Sequence, residues 1–177
     1  FITDALQMVS GLATNPDVID LNYAKMDEIF EVVYSTQPKV NLIYRLDQNG
    51  KMVFHYPTGP GSTVGDDFSF RDYYQKALIT NKPFVSKGRI SPTTNQPVAT
   101  AVMPLWSSSG KFLGLVGANV KLESISDILV TIADQHQAQE GFEVMIVDSD
   151  GQIIGHPDSN LLLHSANEIL PIDFFDK

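Results

Sequence analysis

Three residues with ligand-binding chemistry stand within four positions of one another in the stretch DFSFRDYYQKAL: Arg71, Tyr73 and Tyr74. If the stretch is helical, Arg71 and Tyr74 lie three apart and Tyr73 and Ala77 four apart, so a guanidinium and a phenol become neighbours. A planar guanidinium can give a carboxylate two parallel charge-assisted hydrogen bonds. A few converging polar groups among aromatic walls, here Phe68 and the tyrosines, are what a small-molecule pocket needs. The same spacing also serves a plainer arrangement, in which Arg71 pairs with Asp66 or Asp67 at the surface and the tyrosines fill a core. Structural ion pairs are common, and spacing alone favours that arrangement.

Other chemistry finds little support. There is no Gly-x-Ser-x-Gly elbow and no His-Glu-x-x-His, and the glycines between positions 59 and 65 lack the Lys-Ser/Thr ending of a phosphate loop. Carboxylates are numerous, but spacing singles out no acid–base pair. No catalytic residue and no cofactor is therefore expected. Asp148-Ser149-Asp150-Gly151 has the wording of a calcium loop, but its glycine comes too early and the terminal glutamate is missing, which leaves a turn. His55 and His156 have no partner at ligand spacing, so both read as structural or surface histidines and no metal is expected.

The elements around this stretch must position it. Residues 82–90 and 96–106 read as strands around the turn 91–95, and a second turn at 107–110 leads into a strand at 111–120. Arg89 and Thr100 lie on strands able to line the same cavity, although an arginine on a sheet face reads equally well as a solvated residue. Upstream, Val40–Leu46 and 51–56 form a hairpin around Asp47-Gln48-Asn49-Gly50. A loop rich in glycine and proline at 57–65 follows, placed to form a rim. Short turns make the sheet mainly antiparallel. Gly114 and Gly117 in the last strand allow close approach of another group.

Helices flank the sheet. Ile2, Ala5, Leu6, Val9 and Leu12 form one helical stripe, and Asn15-Pro16-Asp17 has the chemistry of a helix restart. Ile19, Tyr23, Met26, Phe30 and Val33 then step by 4, 3, 4 and 3. Such a seam either packs a helix along its own domain or joins two copies in a homodimer. Residues 122–138 read as an amphipathic helix leaving the sheet.

An internal repeat gives the organisation. NLIYRLDQNGKMVFHYP matches EVMIVDSDGQIIGHP, with Asp47, Gly50 and His55 falling on Asp148, Gly151 and His156 at a constant offset of 101 residues. Two hairpins of one design imply two related modules in tandem. The second, cut short, must pack on the helices or the first module to be ordered.

Composition bounds the rest. The chain has 177 residues, enough for one sizeable core or for one domain and part of another. Its net charge of −9, from 12 basic and 21 acidic residues with no basic cluster, argues against nucleic acid as a partner. The absence of cysteine excludes disulfides and thiol chemistry. No apolar run reaches the length of a membrane span, and no signal peptide is seen. A chain running from Phe1 to Lys177 that stops soon after a new module starts reads as part of a longer protein.

The succession FRDYYQKAL, KPFVSKGRISPTTNQPVATAVMPL and GKFLGLVGANVKLESI resembles the Cache family, the extracytoplasmic sensory domains of bacterial receptors. The resemblance covers about residues 35–135, with a second module starting near residue 142. It implies an α/β (α+β) fold: a long N-terminal helix, a PAS-like and mainly antiparallel sheet module with helices, then the start of a second PAS-like module. The corresponding divisions are an N-terminal helical segment over 1–35, a membrane-distal ligand-binding module with its connecting helix over 36–138, and a truncated membrane-proximal module over 139–177.

One subset of that family binds amino acids. A helix arginine and a neighbouring aromatic take the carboxylate, and an aspartate on the last strand takes the amine. By that resemblance Arg71, Tyr73 and Tyr74 hold a carboxylate, whereas the aspartate position is Asn119, and Asp66 falls near the place of an expected upstream aromatic. The implied function is that of a periplasmic or extracellular sensory domain of a bacterial inner-membrane receptor. It would bind an organic acid or amino acid and signal to a cytoplasmic kinase, cyclase or chemoreceptor output. The rival reading is a structural dimerisation module with no small ligand.

Overall fold

Ala5, Val9 and Leu12 recur at helical spacing and are the buried positions of α1 (Ile2–Leu12). The computed structural model describes residues 2–136 and 144–169. The Asn15 side chain caps α2 (Pro16–Ile19) by accepting the Asp17 amide at 2.9 Å, and Pro16 sits at a helix start where its missing donor costs nothing. The helix does not run on from there. Leu21 adopts φ 59, a left-handed backbone unfavourable for a leucine, and α3 (Tyr23–Ser35) starts afresh behind Asn22. The N-terminal helical segment is thus divided into three helices.

The heptad-like seam is spent inside the domain. Met26 and Phe30 are fully buried and pack with Val9 and Leu12 against Ile43, Val116 and Ala118. Phe30 also meets Phe54 edge-on at 5.5 Å. Of the series, Tyr23, 51% exposed, lies largely outside the core.

The sheet is antiparallel in the order β2-β1-β6-β5-β3, formed by β1 (Val40–Leu46), β2 (Met52–Tyr56), β3 (Phe84–Val85), β5 (Pro97–Trp106) and β6 (Phe112–Lys121), with β4 (Arg89–Ile90) also paired to β5. Helices α1 and α3 cover one face and α4 (Asp72–Ala77) the other, so β1 is buried along its whole length. Period-two alternation sends Ile43, Ala101, Val116 and Ala118 to the α1–α3 face, and Leu42, Tyr44, Val102 and Leu115 to the α4 face.

Residues 82–90, expected as one strand, are two short ones. Ser86 donates its amide to the Thr100 carbonyl at 2.8 Å, and its hydroxyl accepts the Thr100 amide at 2.9 Å in place of a backbone carbonyl. That side-chain substitution closes the ladder and lets Lys87 and Gly88 leave the sheet before the chain returns at Arg89.

After α5 (Glu123–His136) comes the second hairpin, β7 (Ile146–Val147) and β8 (Ile153–Gly155). Its turn repeats the first. Asp47 accepts from the amides of Asn49 and Lys51 at 2.9 Å each, and Asp148 accepts from those of Asp150 and Gln152 at 2.9 and 3.1 Å. Ile153, Ile154, Leu162 and Ala166 pack on Leu122, Ile125 and Ala99, so this hairpin leans on both α5 and the first sheet. The end of the connecting helix read to 138, the junction at 139 and the chain beyond 169 lie outside the described residues. Among the described residues no helix is long and apolar enough to cross a membrane.

Candidate ligand-binding site

The α4 face of the sheet provides a floor. Thr100 and Asn119 are register partners across β5 and β6, as are Tyr44 and Gly117 across β1 and β6. A Cβ at Gly117 would lie 2.3 Å from Cζ of Tyr44, so only glycine lets that ring lie across the sheet. Tyr44 meets Tyr73 of α4 edge-on at 6.4 Å, and its hydroxyl is buried without a hydrogen-bond partner. The Thr100 hydroxyl donates to Asn119 Oδ1 at 2.7 Å, and Asn119 Nδ2 donates to the Ser91 hydroxyl at 3.1 Å.

Tyr73 and Arg89 lie over this floor, and Arg71 stands two residues before Tyr73 at the start of α4. Arg71 is the residue before α4, in extended backbone at φ −72 and ψ 141. Its guanidinium carbon lies 4.9 Å from the Phe70 ring centre, and its Nε is buried with no partner. It forms no ion pair among the described residues; Asp66 and Asp67 are both exposed, and Asp67 accepts the Ser69 amide at 2.8 Å instead. That hydrogen bond lowers the Asp67 pKa.

Arg89 is half-buried, with its guanidinium carbon 4.6 Å from the Tyr73 ring centre. It donates through Nη1 to the Ser86 hydroxyl at 3.0 Å, and through Nη2 to the Thr100 hydroxyl at 2.5 Å and to Asn119 Oδ1 at 3.3 Å. Its Nε is buried and unpartnered. Burial pushes the Tyr73 phenol well above its usual range; Tyr44 adds to the shift, while Arg89 and Arg71 oppose it. Both guanidiniums therefore act on one phenol.

The other nominated residues are dispersed. Tyr74 turns away, donating its hydroxyl to the Gln48 carbonyl at 2.7 Å and meeting Phe112 edge-on, so it ties α4 to the first hairpin turn. Phe68 is buried in the core beneath α4 with Met52 and Leu115. Asp66 contributes its backbone, accepting the Met52 amide at 2.9 Å, while the residue stays exposed. Tyr44, Ser86 and Ser91 escaped the sequence reading. Tyr44 had a usable signal, since alternation in VNLIYRL puts it on the face of Leu42 and Leu46. A cleft of about 450 Å³ adjoins the site, sharing Tyr73 and Ser86 and bounded further out by Lys76, Phe84, Lys87 and Asp148.

Neither histidine of the repeat joins the site. His55 donates from Nδ1 to the Pro57 carbonyl and accepts the Ser62 hydroxyl at Nε2, both at 2.9 Å, while His156 Nδ1 accepts the Asp158 amide at 2.9 Å. Among the described residues no group of three or more acidic or histidine side chains is placed to hold a metal ion.

The family model described as Cache domain matches residues 1–173. The methyl-accepting chemotaxis protein PscA of Pseudomonas syringae pv. tomato is 29% identical over 123 residues, which is 69% of this chain and 18% of that protein. The chain thus spans less than a fifth of the length of this curated relative. Among solved structures, the ligand-binding domain of the Pseudomonas fluorescens chemoreceptor CtaA in complex with L-serine is similar, with a TM-score of 0.73 and 22% identity over 97% of this chain and 70% of that one. The ligand-binding domain of the Pseudomonas aeruginosa PAO1 amino acid chemoreceptor PctC in complex with GABA gives a TM-score of 0.69 and 22% identity, over 96% of this chain and 74% of that one. These two share the fold.

Proposed function

Because this chain belongs to the Cache domain family, we propose that it is the sensory domain of a membrane receptor, lying outside the cytoplasm, that binds a small carboxylate-bearing molecule and passes the signal to a cytoplasmic output domain. The observation that carries the reading is Arg71, a guanidinium with a buried, unpartnered Nε and no acidic partner among the described residues. A buried donor left unsatisfied is costly, and a carboxylate relieves that cost with acceptors of opposite charge. Tyr44 adds a second free donor across the same sheet face. Both L-serine and GABA, held by the CtaA and PctC domains of similar fold, carry a carboxylate.

Asn119 sets the preference among carboxylates. Its carbonyl can accept a hydrogen bond from an amine but offers no full negative charge, and it already receives the Thr100 hydroxyl and Arg89. Organic acids are accordingly better ligands than the matching α-amino acids. Binding moves the receptor only through the difference in affinity between its two signalling states.

A thermal-shift series pairing each acid with its α-amino analogue tests this. A ligand at 100 times its Kd adds about 2.7 kcal/mol, and each kcal/mol moves the midpoint of a domain of this size by about 2–4 °C. The acids are expected to give the larger shifts. If only the amino acids stabilise the protein, the Asn119 argument fails. If neither does, a structural module without a ligand is the better reading.

A further inference from the structure

We propose that the ligand is a small dicarboxylate and that Arg89 holds its second carboxylate, with Arg71 holding the first. The proposal rests on the carboxylate-sensing reading above and adds a second charged anchor to it. Every hydrogen-bond partner of the Arg89 guanidinium is neutral: the hydroxyls of Ser86 and Thr100 and the amide oxygen of Asn119. Its charge is thus positioned but not compensated, and its Nε remains a buried donor without an acceptor. Arg71 is in the same state, and the Tyr44 hydroxyl adds a third free donor.

Neither guanidinium has a carboxylate partner among the described residues, Asp72 and Asp148 lining the adjoining cleft without pairing to either, so a ligand carrying two negative charges compensates both. Carboxylates are acceptor-only groups, which suits a set of unsatisfied donors. A monocarboxylate compensates one guanidinium and leaves the other. An α-amino acid fares worse, because Arg89 already occupies the oxygens of Thr100 and Asn119 and the face of Tyr73, where an ammonium would otherwise be held. Arg89 acts as a tethered cation in the amine's place, so the ligand must bring an anion to it. Arg89 lies 4.6 Å from the Tyr73 ring centre and Arg71 stands two residues before Tyr73 at the start of α4, a spacing that fits a short acid.

Two lysines nearby are the competing anchors, and both are engaged differently. Lys76 Nζ lies over the Phe84 ring at 4.5 Å, and Lys87 Nζ pairs with Asp150 at 2.5 Å.

Calorimetric titration with succinate, butanoate and L-aspartate tests the proposal. Wild type is expected to bind succinate at least about tenfold more tightly than butanoate, with L-aspartate weaker than succinate. Arg89→Gln is expected to bring the ratio of succinate to butanoate affinity down to about one. Asn119→Asp, which gives Arg89 an internal carboxylate, should lower succinate affinity with Arg89 still present, and it decides the matter if Arg89→Gln does not fold. Equal wild-type affinities for succinate and butanoate would overturn the proposal while leaving single-carboxylate sensing intact. A ratio unchanged in Arg89→Gln would also overturn it and move the second anchor to Lys76 or Lys87. Binding by L-aspartate alone would overturn this proposal only, whereas absence of binding by succinate, butanoate and L-aspartate alike would remove the carboxylate-sensing reading with it.

Discussion

Lys87 and Arg89 lie on either side of one glycine and serve different partners. Lys87 Nζ stands 2.5 Å from Asp150 Oδ2 in the turn of the second hairpin, whereas Arg89 Nη2 stands 2.5 Å from the Thr100 hydroxyl on the floor of the site. Between them, Gly88 donates its amide to Asp148 Oδ2 at 3.1 Å. Four consecutive residues, 86–89, therefore join the candidate site to the second hairpin. The lysine pair is about half exposed and contributes little by itself. The close packing at Gly88 matters more, since a Cβ there would lie 2.7 Å from Ile154 Cγ2 and 2.9 Å from Leu163 Cδ2. Gly88→Val is expected to speed amide hydrogen exchange over residues 151–166 while β5 and β6 stay protected. Unchanged exchange over the hairpin would show that it does not depend on this contact.

Arg45 is a structural cation on the opposite face of the sheet. It is 1% exposed and donates to three backbone carbonyls, those of Val18 at 3.3 Å, Leu113 at 2.9 Å and Leu46. Burial lowers its guanidinium pKa to about 10, against an opposing pull from Asp47, so it remains charged at neutral pH. Arg45→Met would remove a charged donor from each of those carbonyls. A loss of about 3 kcal/mol is expected, lowering the midpoint by about 6–12 °C with no effect on ligand affinity. Differential scanning calorimetry checks the first outcome and titration the second.

Met26 tests where the heptad-like seam belongs. Because the side chain is fully buried in the helix–sheet core, Met26→Glu would place a carboxylate in an apolar site. Loss of the cooperative unfolding transition is expected. A well-folded variant whose only change is a lower sedimentation coefficient would return the seam to a dimer interface.

His55 gives the fold a pH dependence. Burial lowers its pKa below the ordinary value, opposed by the hydrogen bond to the Pro57 carbonyl. The unfolded chain therefore takes up a proton near pH 6.5 that the native ring refuses, so stability is full above about 6.5 and falls below it. The fall ends once the native ring itself protonates. Denaturant midpoints for wild type should drop between about pH 7.5 and 5.5, and the drop should shrink in His55→Gln. Equal drops in both proteins would assign the effect to other groups.

The sheet was legible because its signals are local. Alternation and short turns set the strands, and the shared Asp-x-x-Gly turn at Asp47 and Asp148 exposed the repeat. The site was less legible because two local breaks re-aim its side chains. Helical spacing made Arg71 and Tyr74 neighbours, but Arg71 sits in extended backbone before α4, so the three-residue relation does not apply and Tyr74 turns to Gln48. Strand periodicity could not aim Arg89, because the Ser86 hydroxyl closes the ladder and resets the chain. Arg45 was hidden for another reason. Within an apolar strand it reads as a misplaced surface residue, and two of the carbonyls that hold it come from positions 27 and 68 residues away in sequence.

Paired titration of wild type and Arg71→Ala, with the carboxylate that gives the largest thermal shift, tests the account most directly. Removal of a charged donor from a buried site is predicted to cost about 2–5 kcal/mol of binding, with the circular dichroism spectrum unchanged. Undiminished affinity in Arg71→Ala would contradict the assignment of Arg71 as the carboxylate anchor.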